Sequence, residues 1–175
     1  MNREAIYSAL FAAVSVAPGL VTTSRKLKHW NDVPASQRPA LFQAQKREIS
    51  MVQTGQPTRW LLEVDLYVYV STLGATSPGA VLNPIVDAIT AMLDLQVGGF
   101  PQRLGGLVHY ARVEGTVETD EGTLGDDAVA IIPVQIMASS ISTIQPVLPP
   151  PPPGRALIFN LPVNSGLLAL ILEDA

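Results

Sequence analysis

Between Thr58 and Val70 apolar and polar positions alternate. Trp60, Leu62, Val64, Leu66, Val68 and Val70 fall on one side, and Glu63, Asp65, Tyr67 and Tyr69 on the other. Period two, carried by β-branched and aromatic residues, predicts a half-buried antiparallel strand. At ~3.4 Å per residue it reaches about 40 Å, roughly twice the usual strand. Such a strand belongs in a large sheet, and its polar, tyrosine-bearing face has to meet something other than its own core.

Other patterns fill in around it. Asn2 is placed to cap a helix running to about Ala17, with Ile6, Tyr7, Leu10, Phe11 and Val14 on one face and Pro18-Gly19 as its stop. Ser24 to Trp30 reads as a short basic strand, ended by Asn31-Asp32 and Pro34. Ala40 to Val52 alternates next, and Thr54-Gly55-Gln56-Pro57 turns it into the long strand, so residues 40 to 70 predict a hairpin. After a loop from Thr72 to Gly79, Asn83-Pro84 supplies a cap and a first-turn proline for a second helix ending near Leu95. Leu107 to Thr119 alternates again, Asp120 to Asp127 is an acidic turn, and Ala128 to Met137 is the closing strand. Pro133 removes a ladder donor from that strand and favours an edge position or a bulge. The order α-β-β-β-α-β-β over residues 1–138 predicts an α+β domain, an antiparallel sheet with two helices packed on one face.

From residue 139 the pattern changes. Pro149 to Pro153 is an unbroken proline run, expected to hold polyproline II and act as a stiff spacer. An apolar stretch follows with Leu157, Ile158 and Phe159, then Leu167 to Leu172. Residues 139–175 therefore read as a Pro-rich spacer and an apolar arm, expected to cover itself on a neighbouring copy or partner.

Composition sharpens this. Apolar residues make up 47% and charged residues only 15%, so more apolar surface is present than a soluble monomer usually carries. The net charge of −4 conceals a polarity: residues 1 to 59 hold eight Lys/Arg against three Asp/Glu, whereas residues 60 to 138 hold two against ten. Clusters Arg25-Lys26-Lys28 and Lys46-Arg47 carry the basic part; Glu118, Asp120, Glu121, Asp126 and Asp127 carry much of the acidic part. Opposed patches of this kind suit contacts between copies. Candidate interface residues are Arg25, Lys26, Lys28, Lys46, Arg47, Tyr67, Tyr69, Leu157, Ile158 and Phe159.

Chemistry is what the pattern lacks. With no cysteine, disulfides, thiolate metal sites and cysteine nucleophiles are excluded. His29 and His109 stand isolated, the acidic turn does not have EF-hand spacing, and the paired glycines at 98–99 and 105–106 lead into no phosphate-binding helix. No catalytic, cofactor or metal site is expected, and no membrane partner, because neither Ala5 to Ala17 nor Ala156 to Leu172 supplies a spanning run.

Several ordered segments carry a family likeness: Glu4 to Gly19 (EAIYSALFAAVSVAPG), Ser24 to Trp30 (SRKLKHW), Pro39 to Glu48 (PALFQAQKRE), Pro57 to Val70 (PTRWLLEVDLYVYV), Leu82 to Ile89 (LNPIVDAI) and Leu104 to Ile136. Across residues 3 to 138 the chain resembles the tail terminator proteins of long-tailed bacteriophages. The resemblance implies a structural virion protein of the tail and neck, assembled in the host cytoplasm into a homo-hexameric ring. That ring sits on the tail tube protein, ends tube growth and presents a surface to the head-completion (stopper) protein. DNA passes through its lumen without specific binding, so Glu63, Asp65, Glu118, Asp120, Glu121, Asp126 and Asp127 become candidates for a negative channel lining. The alternatives are a stopper protein of the connector and a monomeric adaptor that recruits a partner through its Pro-rich tail.

Overall fold

Asn2 opens the first helix as its sequence position demands: its side-chain oxygen accepts the Ala5 N–H at 3.1 Å. The computed structural model describes residues 1–94, 102–121 and 125–140, all within the compact unit Met1–Thr143. The first helix, α1, spans Arg3–Val14 and buries Ile6, Tyr7, Leu10 and Val14 of the expected stripe, while Phe11 is only half-buried. It ends at Val14 rather than Ala17, with Ser15 as its C-cap.

Strand β1 (Thr22–Ser24) pairs in parallel with β2 (Ala40–Met51), so the sheet is mixed rather than purely antiparallel. The basic run expected as a strand from Ser24 to Trp30 leaves the sheet instead. Lys26 N–H donates to Ser24 Oγ at 3.0 Å, a local turn that competes with ladder pairing. The chain then crosses the sheet as two 3₁₀ turns, Trp30–Asp32 and Ala35–Gln37, before entering β2.

The hairpin of residues 40 to 70 is present: β2 pairs antiparallel with β3 (Arg59–Ser71), from Ala40↔Tyr69 to Met51↔Arg59. A bulge between Gln45 and Arg47 leaves Lys46 as the extra residue. Helix α2 (Pro78–Asp94) begins earlier than the Asn83-Pro84 signal suggested. Ser77-Pro78 supplies an equivalent cap and first-turn proline upstream, with Ser77 Oγ accepting from Ala80 N–H at 3.3 Å. Starting there places Leu82 in the buried stripe with Ile85, Ile89 and Leu93.

The strand expected over Leu107 to Thr119 is split into β4 (Tyr110–Val113) and β5 (Glu118–Glu121), both antiparallel to β6 (Asp127–Ser139). The cause is Pro133. Far from lying at an edge, β6 sits between β3 and the β4–β5 pair. The Pro133 carbonyl accepts from Glu114 N–H at 3.1 Å, so its ladder positions face β4 and β5, and there no N–H exists to hold an unbroken strand. Gly115 bridges the gap at φ +122, where an added Cβ would lie 3.2 Å from the Pro133 ring.

Strand order is β1-β2-β3-β6-β4, with β5 also on β6. Both helices pack on one face, against Leu62, Val64, Leu66, Val68 and Val70 of β3 and alternate residues of β6 from Ala128 to Ala138. This is the α+β class with both helices on one side, as the pattern predicted.

A candidate assembly surface on the open sheet face

The register of the long strands sorts the face opposite the helices into rows. Ala40–Tyr69–Val129–Asp120 and Phe42–Tyr67–Ile131–Glu118 form two rows at one end. Arg47–Glu63–Gln135–Arg112 and Ile49–Leu61–Met137–Tyr110 form two at the other, followed by Met51–Arg59–Ser139.

At the first end the chain covers its own sheet. Val33, Ala40, Phe42 and Tyr69 make a second small core, with Trp30, Tyr67 and Val129 packed against it. Tyr69 stacks at 5.3 Å from Phe42, and its hydroxyl donates to the Lys28 carbonyl at 2.9 Å. Burial pushes the Tyr69 phenol above its ordinary pKa. The expectation that this tyrosine face meets something beyond its own core is thus corrected for its upper half: the 3₁₀ turns meet it. Arg38 fastens them, donating to the Val33 and Trp30 carbonyls at 2.8 Å each and pairing with Asp127.

Among the described residues the lower rows carry no such cover. Ile49 is 39% exposed and Met51 38%, while Leu61, Met137 and Tyr110 are half-buried. An apolar row therefore runs across all four strands with charged pairs beside it. Arg47 grips Glu63 with two hydrogen bonds, at 2.7 and 2.8 Å. Lys46, displaced outward by the bulge, sits 3.1 Å from the buried Asp65 carboxylate. Each carboxylate raises its partner's pKa, so both cations stay charged. Arg112 lies over the Tyr110 ring at 4.6 Å and closes the row.

The charge polarity of the sequence is spent in part inside the chain. Lys46–Asp65, Arg47–Glu63 and Arg38–Asp127 each join the basic stretch to the acidic one. Arg25 turns the other way, onto α1, donating to Glu4 and Ser8; its bond to Glu4, and that of the Ser8 hydroxyl to the same carboxylate, hold the Glu4 carboxyl down to about 2. Lys26 and Lys28 are exposed, as are Glu118 and Asp126, whereas Asp120 is half-buried. Glu121 enters through its backbone pairing with Ala128. Leu157, Ile158 and Phe159 lie outside the described residues. Among the described residues no cluster of three or more His, Asp or Glu could hold a metal ion, and no helix is long and apolar enough to cross a membrane.

The open row escaped sequence reading because the bulge hides it. Phe42 and Ala44 share a face with Arg47, Ile49 and Met51 only because Lys46 shifts the alternation by one. The signal was the change of phase between residues 44 and 47.

No family model matches the chain, and no curated protein matches it. Among solved structures, a chain of the virion of a native gene transfer agent particle is similar at 10% identity and a TM-score of 0.41, over 74% of this chain and 84% of that one. A second solved chain is similar at 18% identity and a TM-score of 0.45, over 81% of this chain and 97% of that one. Superpositions this loose establish neither a shared fold nor a shared role.

Proposed function

We propose that the chain is a structural virion protein, the subunit of a hexameric ring that caps the tail tube, ends its polymerisation and joins the tail to the head connector. The observation that carries this reading is the open row Ile49–Leu61–Met137–Tyr110 on an otherwise well-buried sheet. Apolar side chains aligned across four strands and rimmed by fixed ion pairs form the core and rim expected of a subunit contact. The ordered likeness of residues 3 to 138 to tail terminators names the kind of assembly. A ring needs two different patches that meet head to tail, and a sheet covered at one end and open at the other presents two such patches.

DNA passing through the ring slides along a negative lining, whereas Lys and Arg would hold its phosphates. Glu63, Asp65 and Asp127 are already paired within the chain, so this reading assigns the lining chiefly to Glu118 and Asp126, which have no ion pair among the described residues. A ring structure whose channel is lined by Lys and Arg would overturn that assignment.

Particles assembled without the protein test the role. Tails of unregulated length with unattached heads identify a terminator; filled heads that leak DNA identify a stopper instead. Residues beyond Ser140 are assigned to contacts with a neighbouring subunit or neck protein. A chain cut after Ser140 keeps every buried core residue described above and the Ser140 N–H to Thr58 carbonyl bond at 2.9 Å. Its stability is expected to stay within ~0.5 kcal/mol of the full chain, the range of changes remote from a core, yet it is expected to join heads and tails less efficiently. A cut chain that fails to fold would place the arm in the domain itself.

A further inference from the structure

Trp30 divides a groove on the covered half of the sheet. On one side is a cavity of about 460 Å³ walled by Leu27, Lys28, Tyr67 and Val129, and on the other one of about 330 Å³ walled by Glu118, Thr119 and Ile131. Its bed is apolar, and Glu118 stands exposed at its rim with no ion pair among the described residues. At the far end of the same sheet the β2–β3 hairpin tip projects, with residues 51–57 all exposed. Val52 there is 78% exposed and Met51 lies directly across from Arg59, an exposed cation that also has no ion pair among the described residues.

We infer that the hairpin tip of one copy seats in the Trp30 groove of the next. Met51 and Val52 cover the apolar bed, and Arg59 meets Glu118 at the rim. The occupant is a second copy because the apolar tip with its Arg59 cation and the apolar bed with its Glu118 carboxylate can meet only between copies. Ten residues of β3 separate Arg59 from Tyr69, about 34 Å of strand at ~3.4 Å per residue, so the tip cannot reach its own groove. The two patches differ, so the contact is heterologous and propagates head to tail, closing if the rotation allows. This deepens the ring reading by naming its joint.

Because the sequence holds no cysteine, the test is clean. Val52→Cys with Thr119→Cys in one chain, treated with a short bis-maleimide linker, is expected to give a ladder of cross-linked oligomers, since an intrachain link cannot span the strand. Each single variant alone is expected to give none. Arg59→Glu should abolish the ladder and Glu118→Arg in the same chain should restore it, which a merely structural role would not do. A ladder that ends at a closed hexamer supports both readings; one that runs on without closing keeps the joint and removes the ring. Closed rings by sedimentation without cross-links remove the joint and leave the ring. Cross-linked dimers from Val52→Cys alone, or no cross-link at any concentration, overturn the proposal.

Discussion

Replacing Arg38 by alanine will destabilise the domain by about 3 kcal/mol and strip the cover from the upper half of the sheet. The guanidinium is only 6% exposed and its partner Asp127 22%, so this is a largely desolvated pair. Deleting one member of a buried pair costs ~3–5 kcal/mol, somewhat less where water reaches the survivor. The same side chain donates to the carbonyls of Trp30 and Val33, and charge-assisted bonds are worth ~1.5–3 kcal/mol each, though not additively with the pair. Urea melts give the stability change. In a Trp60→Phe background, a red shift of Trp30 emission reports release of the segment from the sheet. Arg38→Lys will restore only part of the loss, because one ammonium cannot satisfy two carbonyls and a carboxylate in fixed directions. A melt unchanged in Arg38→Ala would show that the 3₁₀ turns hold themselves in place.

Replacing Ile49 by aspartate will have the opposite profile: little effect on folding and a large one on assembly. At 39% exposure the position tolerates charge in the isolated chain, where a surface change typically stays within ~0.5 kcal/mol. Buried in a subunit contact, an unpaired carboxylate costs at least the ~2 kcal/mol of an interface hot spot, a weakening of roughly 30-fold or more. Sedimentation of assembled particles against thermal melting of the free chain separates the two. Loss of folding with assembly intact in the surviving fraction would reassign the row to the domain's own stability.

The elements that could be read from the chain were those whose burial follows a simple period. The alternation from Trp60 to Val70 maps onto the core face of β3, and the stripe Ile6, Tyr7, Leu10 and Val14 onto α1. What escaped depended on local exceptions to a period. Lys46 shifts the phase of β2, Pro133 breaks its neighbour into two strands rather than moving β6 to an edge, and the Ser24 hydroxyl ends β1 before the basic run begins. The open row escaped for a related reason. Ile49, Leu61, Met137 and Tyr110 come from four strands and become one row only through registers that no single segment encodes. Part of the charge polarity in the sequence became intrachain pairs once β2 and β3 lay side by side, which no single segment announces.

Averaged images of the protein at the junction of tail and head, with native mass spectrometry of the concentrated chain beside them, decide whether a closed head-to-tail ring forms. Six copies are expected about one axis, with the open row and the Trp30 groove both hidden between neighbours. A two-fold or five-fold arrangement, or a single copy at the junction with both surfaces facing solvent, would contradict it.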